Sequence, residues 1–162
     1  MALLTENEQF HLKIKKGDVG RYAILPGDPG RVPLIAKYLD NAEFIASNRE
    51  YTTYTGYLLG EKVSVVSTGI GGGGAAIAVE ELIRSGTDTF IRIGTSGGMD
   101  ISVSGGDLIV AQASIRSEGT SHEYIPENYP AVADFEVTTA LKAAGDALSK
   151  DVDGKRCHVG VV

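Results

Sequence analysis

Cysteine is almost missing from this chain. Cys157 stands alone, which excludes an internal disulfide. No apolar run approaches the roughly 20 residues that a membrane-spanning helix needs. The opening residues Met-Ala-Leu-Leu-Thr-Glu-Asn-Glu lack the basic and apolar blocks of a secretory leader. These absences predict a soluble, cytoplasmic protein with no membrane partner. Basic charge is also short: 15 Lys and Arg against 21 Asp and Glu leave a formal net charge of -6. Binding a nucleic-acid backbone requires clustered cations, so a nucleic-acid partner is not expected.

Constellations that would carry familiar chemistries are lacking too. His11, His122 and His158 have no metal-ligand spacing, and Cys157 has no helix-start or basic setting that would activate a thiol. No Gly-x-Ser-x-Gly elbow occurs, and no Lys-Ser or Lys-Thr follows any glycine cluster, which excludes a Walker-type loop. The chemistry that fits needs neither a protein nucleophile nor a metal.

What the chain has in excess is glycine. Its 21 Gly in 162 residues stand well above the usual ~7%, and many cluster where strands should end. Residues 22–26 read as a strand running into Gly27-Asp28-Pro29-Gly30-Arg31, with a helix over 32–39. Residues 43–46 and 51–59 read as extended segments, and 62–68 as a strand rich in small and β-branched residues. Gly69-Ile70-Gly71-Gly72-Gly73-Gly74 then opens a helix over 75–85 that stops at Gly86. A strand over 89–93 ends in Gly94-Thr95-Ser96-Gly97-Gly98. Further along come a strand at 108–114, an amphipathic helix at 136–148 and a last strand at 158–162. Strands alternating with helices imply βαβ crossovers and a parallel or mixed sheet. The chain reads as a single α/β domain, 1–162. Its final apolar strand is expected to be covered by a partner chain or by further residues of a longer one.

Ligands of open α/β sheets sit at the carboxyl ends of strands, where this chain places glycine turns whose backbone can approach an anion and aim N–H groups at it. Two of the turns open helices, whose positive ends favour anions. Arg31 follows the first turn. Arg92 lies in an otherwise apolar strand two residues before Gly94, where a buried guanidinium requires an anionic partner, either a phosphate or a structural carboxylate. By spacing alone Arg31 fits a solvated helix-start cation as well as a ligand contact, and Arg49 fits a surface charge. Thr95 and Ser96 offer hydroxyls suited to an anion or to a helix cap. Gly69 to Gly74 also matches G-x-G-x-x-G. The acidic residue that a dinucleotide site wants after the next strand is lacking, since Asp88 precedes that strand.

Taken in order, Phe10-His11-Leu12, the segment from Leu25 to Val32, Ser47-Asn48-Arg49-Glu50-Tyr51-Thr52-Thr53, Ser67-Thr68-Gly69-Ile70-Gly71-Gly72, Ala78-Val79-Glu80-Glu81-Leu82, Phe90-Ile91-Arg92-Ile93-Gly94-Thr95 and Phe135 to Leu141 resemble the uridine phosphorylase branch of the nucleoside phosphorylase I family. The match runs almost end to end. It implies an incomplete three-layer α/β/α sandwich around a mixed sheet. It also implies a pentosyltransferase of nucleoside salvage that cleaves uridine with inorganic phosphate to free base and ribose 1-phosphate.

By the same resemblance phosphate is held by Gly27, Arg31, Arg92 and Thr95, with Arg49 entering from a neighbouring subunit. Ribose is met by Thr95 and by His11, which crosses a homodimer interface to the 5′-hydroxyl, and the base lies against Thr95, Ser96 and Gly97. Homodimers would assemble into a hexamer, with no cofactor beyond a monovalent cation such as K+ near Glu50 and Ile70. Two departures stand out. Family members carry Pro-Ser where this chain has Gly73-Gly74, so a side-chain oxygen of that cation site is lacking. Family chains are also longer, and the part beyond holds residues that recognise the pyrimidine and the 2′- and 3′-hydroxyls, so the chain reads as truncated at its C-terminus. Purine nucleoside phosphorylases share the glycine and arginine scaffold, and a non-catalytic phosphate-binding or oligomer-forming remnant is the alternative from another class.

Overall fold

The computed structural model describes residues 8–152 and 154–162; most of the segment read for a leader lies outside the described residues. The chain divides into two compact units, Met1–Thr95 and Ser96–Val162.

The first unit runs β1 (Tyr22–Leu25), a 3₁₀ turn (Pro29–Arg31), α1 (Val32–Ala36), β2 (Asp40–Asn48), β3 (Tyr51–Leu58), β4 (Glu61–Val66), α2 (Gly71–Ser85) and β5 (Thr89–Arg92). Its sheet has the order β2-β3-β4-β1-β5. β4, β1 and β5 are parallel, while β2, β3 and β4 are joined antiparallel. Along β1 the side chains alternate between faces: Ala23 and Leu25 join Val66, Leu12, Ile14, Tyr51 and α2's Ala78 and Leu82, whereas Tyr22 and Ile24 pack with Val63, Val65 and α1's Val32 and Ala36. A strand buried on both faces loses the apolar-polar alternation of a half-exposed one, which is why β1 reads as a short apolar run. Helices cover both faces, so this unit is the three-layer arrangement around a mixed sheet. Leu12, Ile14 and Leu82 are wholly buried, each stabilising the unit by about 1.5–3 kcal/mol.

Two helix boundaries differ from the sequence reading by three residues or more, while the helix read at 136–148 differs by one and two at its ends. α1 ends at Ala36 because Tyr38 and Leu39 bond back to the Ile35 and Ala36 carbonyls in tight i→i−3 turns before β2 begins. α2 starts at Gly71, four residues before the apolar periodicity, because its first turn is all glycine and has no side chains to mark a face. Gly86, at φ +109°, ends it as expected.

The second unit runs β6 (Leu108–Ser114), α3 (Thr120–Tyr124), β7 (Ala131–Val132), α4 (Phe135–Lys150) and β8 (Cys157–Val161). Its sheet order is β7-β6-β8, with β8 parallel to β6 and β7 antiparallel. Asp134 caps α4 by accepting from the Val137 N–H at 2.9 Å. α4 closes on β8 at Gly145, where a β-carbon would come within 2.4 Å of the Cys157 sulfur. Burial there pushes the Cys157 thiol up, consistent with an unreactive cysteine. No helix among the described residues is long and apolar enough to cross a membrane.

Candidate functional site

Because β4, β1 and β5 are parallel neighbours, their carboxyl ends share one edge of the sheet, and the three glycine turns emerge side by side. The ladder continues past the strands: Thr68 N–H donates to the Pro26 carbonyl and Gly69 N–H to the Gly27 carbonyl, both at 3.0 Å, and Ile93 N–H to the Leu25 carbonyl at 3.2 Å. These turns are therefore held at fixed spacing. Between them lies a pocket of about 710 Å³, walled by Gly27 to Pro29, Glu50, Gly69 to Gly71 and Arg92.

Arg92 ends β5 and is exposed, not buried within the strand as its apolar neighbours suggested. A terminal position lets the guanidinium turn over the sheet edge, so burial does not force a partner on it. Its Nη1 donates to the Leu25 carbonyl at 3.2 Å and to the Ile93 carbonyl. Nη2 has no hydrogen-bond partner among the described residues and lies 3.2 Å from where a β-carbon on Gly27 would stand. The structural ion pair that Arg92 could have served is not seen among the described residues. What remains is a cation braced on one side and open on the other, seated over a glycine whose missing β-carbon gives the guanidinium its room.

The helix end opposite has the same bias. Ile70, the residue before α2, provides no side-chain cap, and the first turn carries no acidic residue. Among the described residues no side chain caps its first N–H groups; such a helix end favours an anion, and Gly71 lines the pocket. Glu50 supplies the opposing charge. Its side chain lies so close to Gly69 that a β-carbon there would come within 2.6 Å of the Glu50 Cγ, and Gly69 sits at φ +68°. Asp28, also at the rim, is engaged by the Gly30 N–H at 2.8 Å.

Arg49 and Glu50 form the two-residue turn between β2 and β3, with Asn48 paired to Tyr51. Arg49 is exposed at φ +54°, a conformation unfavourable for a side chain of this size. Ser67, fully buried, holds the turn by donating to the Glu50 carbonyl at 2.6 Å and accepting from the Thr52 N–H at 2.8 Å. Tyr51 ties it to α2, its hydroxyl donating to the Gly74 carbonyl at 3.2 Å. Burial, reinforced by the charge of Glu50, pushes this phenol up, which keeps it a donor.

Of the residues read as ligands, the pocket brings together Gly27, Arg92, Glu50 and Ile70. Arg31 closes the 3₁₀ turn, half-buried and outside the pocket wall, and Arg49 projects from its hairpin tip. Thr95, Ser96 and Gly97 are exposed in an irregular stretch. No helix follows them, so the capping role for Thr95 and Ser96 does not apply. The dinucleotide alternative loses its acid: Asp88 sits at the amino end of β5, away from the glycine edge, and pairs with Arg21 at 3.2 Å. No group of three or more acidic, His or Cys side chains able to hold a metal occurs among the described residues.

His11 is held elsewhere in the first unit. Its Nδ1 lies 2.7 Å from Glu81 Oε1, while its own N–H and that of Leu12 donate to the same carboxylate at 2.8–3.1 Å. Asn48 donates its side-chain N–H to the His11 carbonyl at 2.7 Å. The His11 turn and the Arg49 hairpin are thus one connected assembly.

A sequence profile of the Phosphorylase superfamily matches residues 21–162. The chain belongs to that superfamily. It is 51% identical over 96% of its length to the uridine phosphorylase of Thermococcus kodakarensis, of which it covers 54%, and 52% identical over 85% of its length to that of Treponema pallidum, again covering 54%. The crystal structure of uridine phosphorylase from Vibrio fischeri complexed with 6-hydroxy-1-naphthoic acid superposes with a TM-score of 0.87 at 36% identity, covering 96% of this chain and 62% of that one. The resemblance to uridine phosphorylases and the phosphorylase-like α/β fold are both borne out. The chain spans about half the length of the curated relatives it matches.

Within this phosphorylase fold, reading the sequence missed Glu81, Ser67 and Tyr51 as supports. Glu81 had one visible signal, an acid inside the apolar spacing of α2. Ser67 and Tyr51 act through pairings that spacing along the chain does not encode.

Proposed function

We propose that this chain is the phosphate-binding portion of a uridine phosphorylase. Phosphate lies between Arg92, Gly27 and the start of α2, with Arg31 and Thr95 adding donors when nucleoside is bound. A phosphate oxygen forms the new bond to the anomeric carbon as the bond from that carbon to the base nitrogen breaks. The bond's electron pair leaves with the base, which then takes up a proton. The anion's charge stabilises the oxocarbenium-like ribose that develops in between, and its fixed position spares the entropy of bringing the reactants together. No side chain need act as nucleophile. The observation that supports this most is the Nη2 of Arg92, which sits beside Gly27 on the pocket wall with no hydrogen-bond partner among the described residues.

The finer assignments belong to the same reading. His11 and Arg49 serve a neighbouring subunit's site, as expected of a homodimer within a hexamer, and Thr95, Ser96 and Gly97 face the base. A monovalent cation such as K+ beside Glu50 and Ile70 would offset the carboxylate at the rim of an anion site, although Gly74 brings it no side-chain oxygen. No organic cofactor takes part, and the enzyme works in the cytoplasm.

Two measurements test the proposal. Calorimetric titration of the 162-residue chain with inorganic phosphate should show saturable binding; none would remove the anion site. Uridine and phosphate should yield ribose 1-phosphate with the natural full-length form, faster than inosine does. No product from uridine would overturn the enzymatic reading.

A further inference from the structure

Glu81 is a buried acid whose one side-chain partner among the described residues is the His11 ring. Two backbone N–H groups donate to it, those of His11 and Leu12, and the ring Nδ1 lies 2.7 Å from its Oε1. Among the described residues no acceptor faces it, and that donor set suits an ionised carboxylate, which only accepts. The Nδ1 of His11 must then carry a hydrogen. In the neutral ring the other nitrogen, Nε2, is left as an acceptor. Nε2 has no partner among the described residues, and the side chain keeps 27% exposure. The backbone bonds to Glu81 and the Asn48 bond to the His11 carbonyl at 2.7 Å fix the turn from two directions. The rings of Phe10 and Tyr51 flank the imidazole edge-on.

We propose that Glu81 is a positioning residue that holds His11 in the Nδ1–H tautomer, so that Nε2 accepts a hydrogen bond from a ribose hydroxyl. The ribose part rests on the reading of His11 as the contact to the 5′-hydroxyl; the tautomer part does not. A side chain that merely filled space could not select a tautomer. A carboxylate anchored by two backbone donors can, because a ring presenting Nε2–H outward would leave Nδ1 and Glu81 as two acceptors facing each other at 2.7 Å.

The test begins with the unaltered chain. Nitrogen-15 correlation spectra of the imidazoles, with His11 assigned by its loss in His11→Ala, should show Nδ1–H as the sole neutral form. Finding Nε2–H in the unaltered chain would overturn the proposal. Glu81→Gln removes the charge and turns an amide N–H₂ toward N–H donors, so a second tautomer should appear; an unchanged spectrum would also overturn it. In the natural full-length enzyme, kcat/KM for uridine relative to 5′-deoxyuridine should fall about threefold to tenfold in Glu81→Gln, the worth of one neutral hydrogen bond, with 5′-deoxyuridine turnover held. If His11→Ala leaves that ratio unchanged, the ribose reading fails while the spectra still decide the tautomer.

Discussion

Leu12, Ile14, Val32, Val65, Val66 and Leu82 of the first unit have no exposed surface, whereas in the second the one buried apolar side chain among the described residues is Val110, at 9%. The second unit has apolar groups, but Val132, Phe135 and Leu148 are more than half exposed. Its order rests on polar anchors instead. Asp107, with only 1% of its side chain exposed, accepts from the Ser104 and Arg156 N–H groups and from His158. Arg116 donates to the carbonyls of Ser121, Ile125, Pro126 and Tyr129, gathering the stretch that contains α3 and β7. Burial makes a frame that tolerates changes of pH, and hydrogen bonding to charge makes one that does not. The proposed anion pocket is built on the first kind of frame.

Core truncation should separate the units most. Leu82→Ala deletes a wholly buried side chain between α2 and the sheet and should cost about 2–5 kcal/mol. Leu148→Ala, on an exposed part of α4, should stay within about 0.5 kcal/mol. Urea unfolding of both variants measures the contrast, and equal losses would mean that the second unit's apolar face is covered in solution.

The two arginines give the next contrast. Arg92 uses Nη1 alone on the protein, while Arg116 engages Nε, Nη1 and Nη2. Arg92→Ala should therefore weaken phosphate binding about 10- to 150-fold, the equivalent of about 1.5–3 kcal/mol for a charged hydrogen bond, with little change in stability. Arg116→Ala should do the reverse, leaving phosphate affinity as it was and lowering thermal stability. If Arg92→Ala leaves the phosphate titration unchanged, the anion site is misassigned.

Acid should loosen the second unit through its carboxylates. The Ser104 N–H and then the His158 side chain hold Asp107 down at about 2, against an ordinary 3.8, and bonds from Ser121 and then Thr120 hold Glu118 at about 2, against 4.5. A group whose folded value is depressed contributes stability that is fully present above its unfolded value and is lost as pH falls through the folded one. For Asp107 that window runs from 3.8 down to about 2. Amide exchange at Ser104 and Arg156 should accelerate across it, and Asp107→Asn should abolish the pH dependence. A flat profile in the unaltered chain would remove Asp107 as an anchor.

How far these features could be read from sequence depends on their range. β6 was legible to the residue, because a short apolar run between turn signals is a local pattern. The glycine turns were legible one by one, and Arg92 was singled out for the right edge of the sheet with the wrong burial. That the turns stand side by side was not legible, since the order β4-β1-β5 pairs strands distant in the chain. α3 and β7 were missed because each is too short for a period and owes its place to Arg116. The bond from His11 to Glu81 spans 70 residues, and nothing in either local sequence announces the other.

The smallest effect tests the rim of the pocket, where adjacent glycines of α2 differ in what surrounds them. A β-carbon at Gly73 would meet nothing within 4 Å, whereas one at Gly74 would come within 2.5 Å of the Thr68 carbonyl oxygen, a backbone atom held in the ladder beside Pro26. Neither residue has a positive φ. Gly73→Ala should therefore stabilise the chain by about 0.4–1 kcal/mol, by lowering the freedom of the unfolded state. The same change at Gly74 should have the opposite sign, because the first turn of α2 must move off the Thr68 carbonyl. The Gly74 carbonyl accepts from Tyr51, so that movement would reach the Arg49–Glu50 turn and show as weaker phosphate binding, an effect Gly73→Ala should lack. Thermal unfolding and a phosphate titration on the two variants measure both differences. Equal shifts in both would mean that the start of α2 is loose, and that the proposed anion-binding edge is less firmly held than the core beneath it.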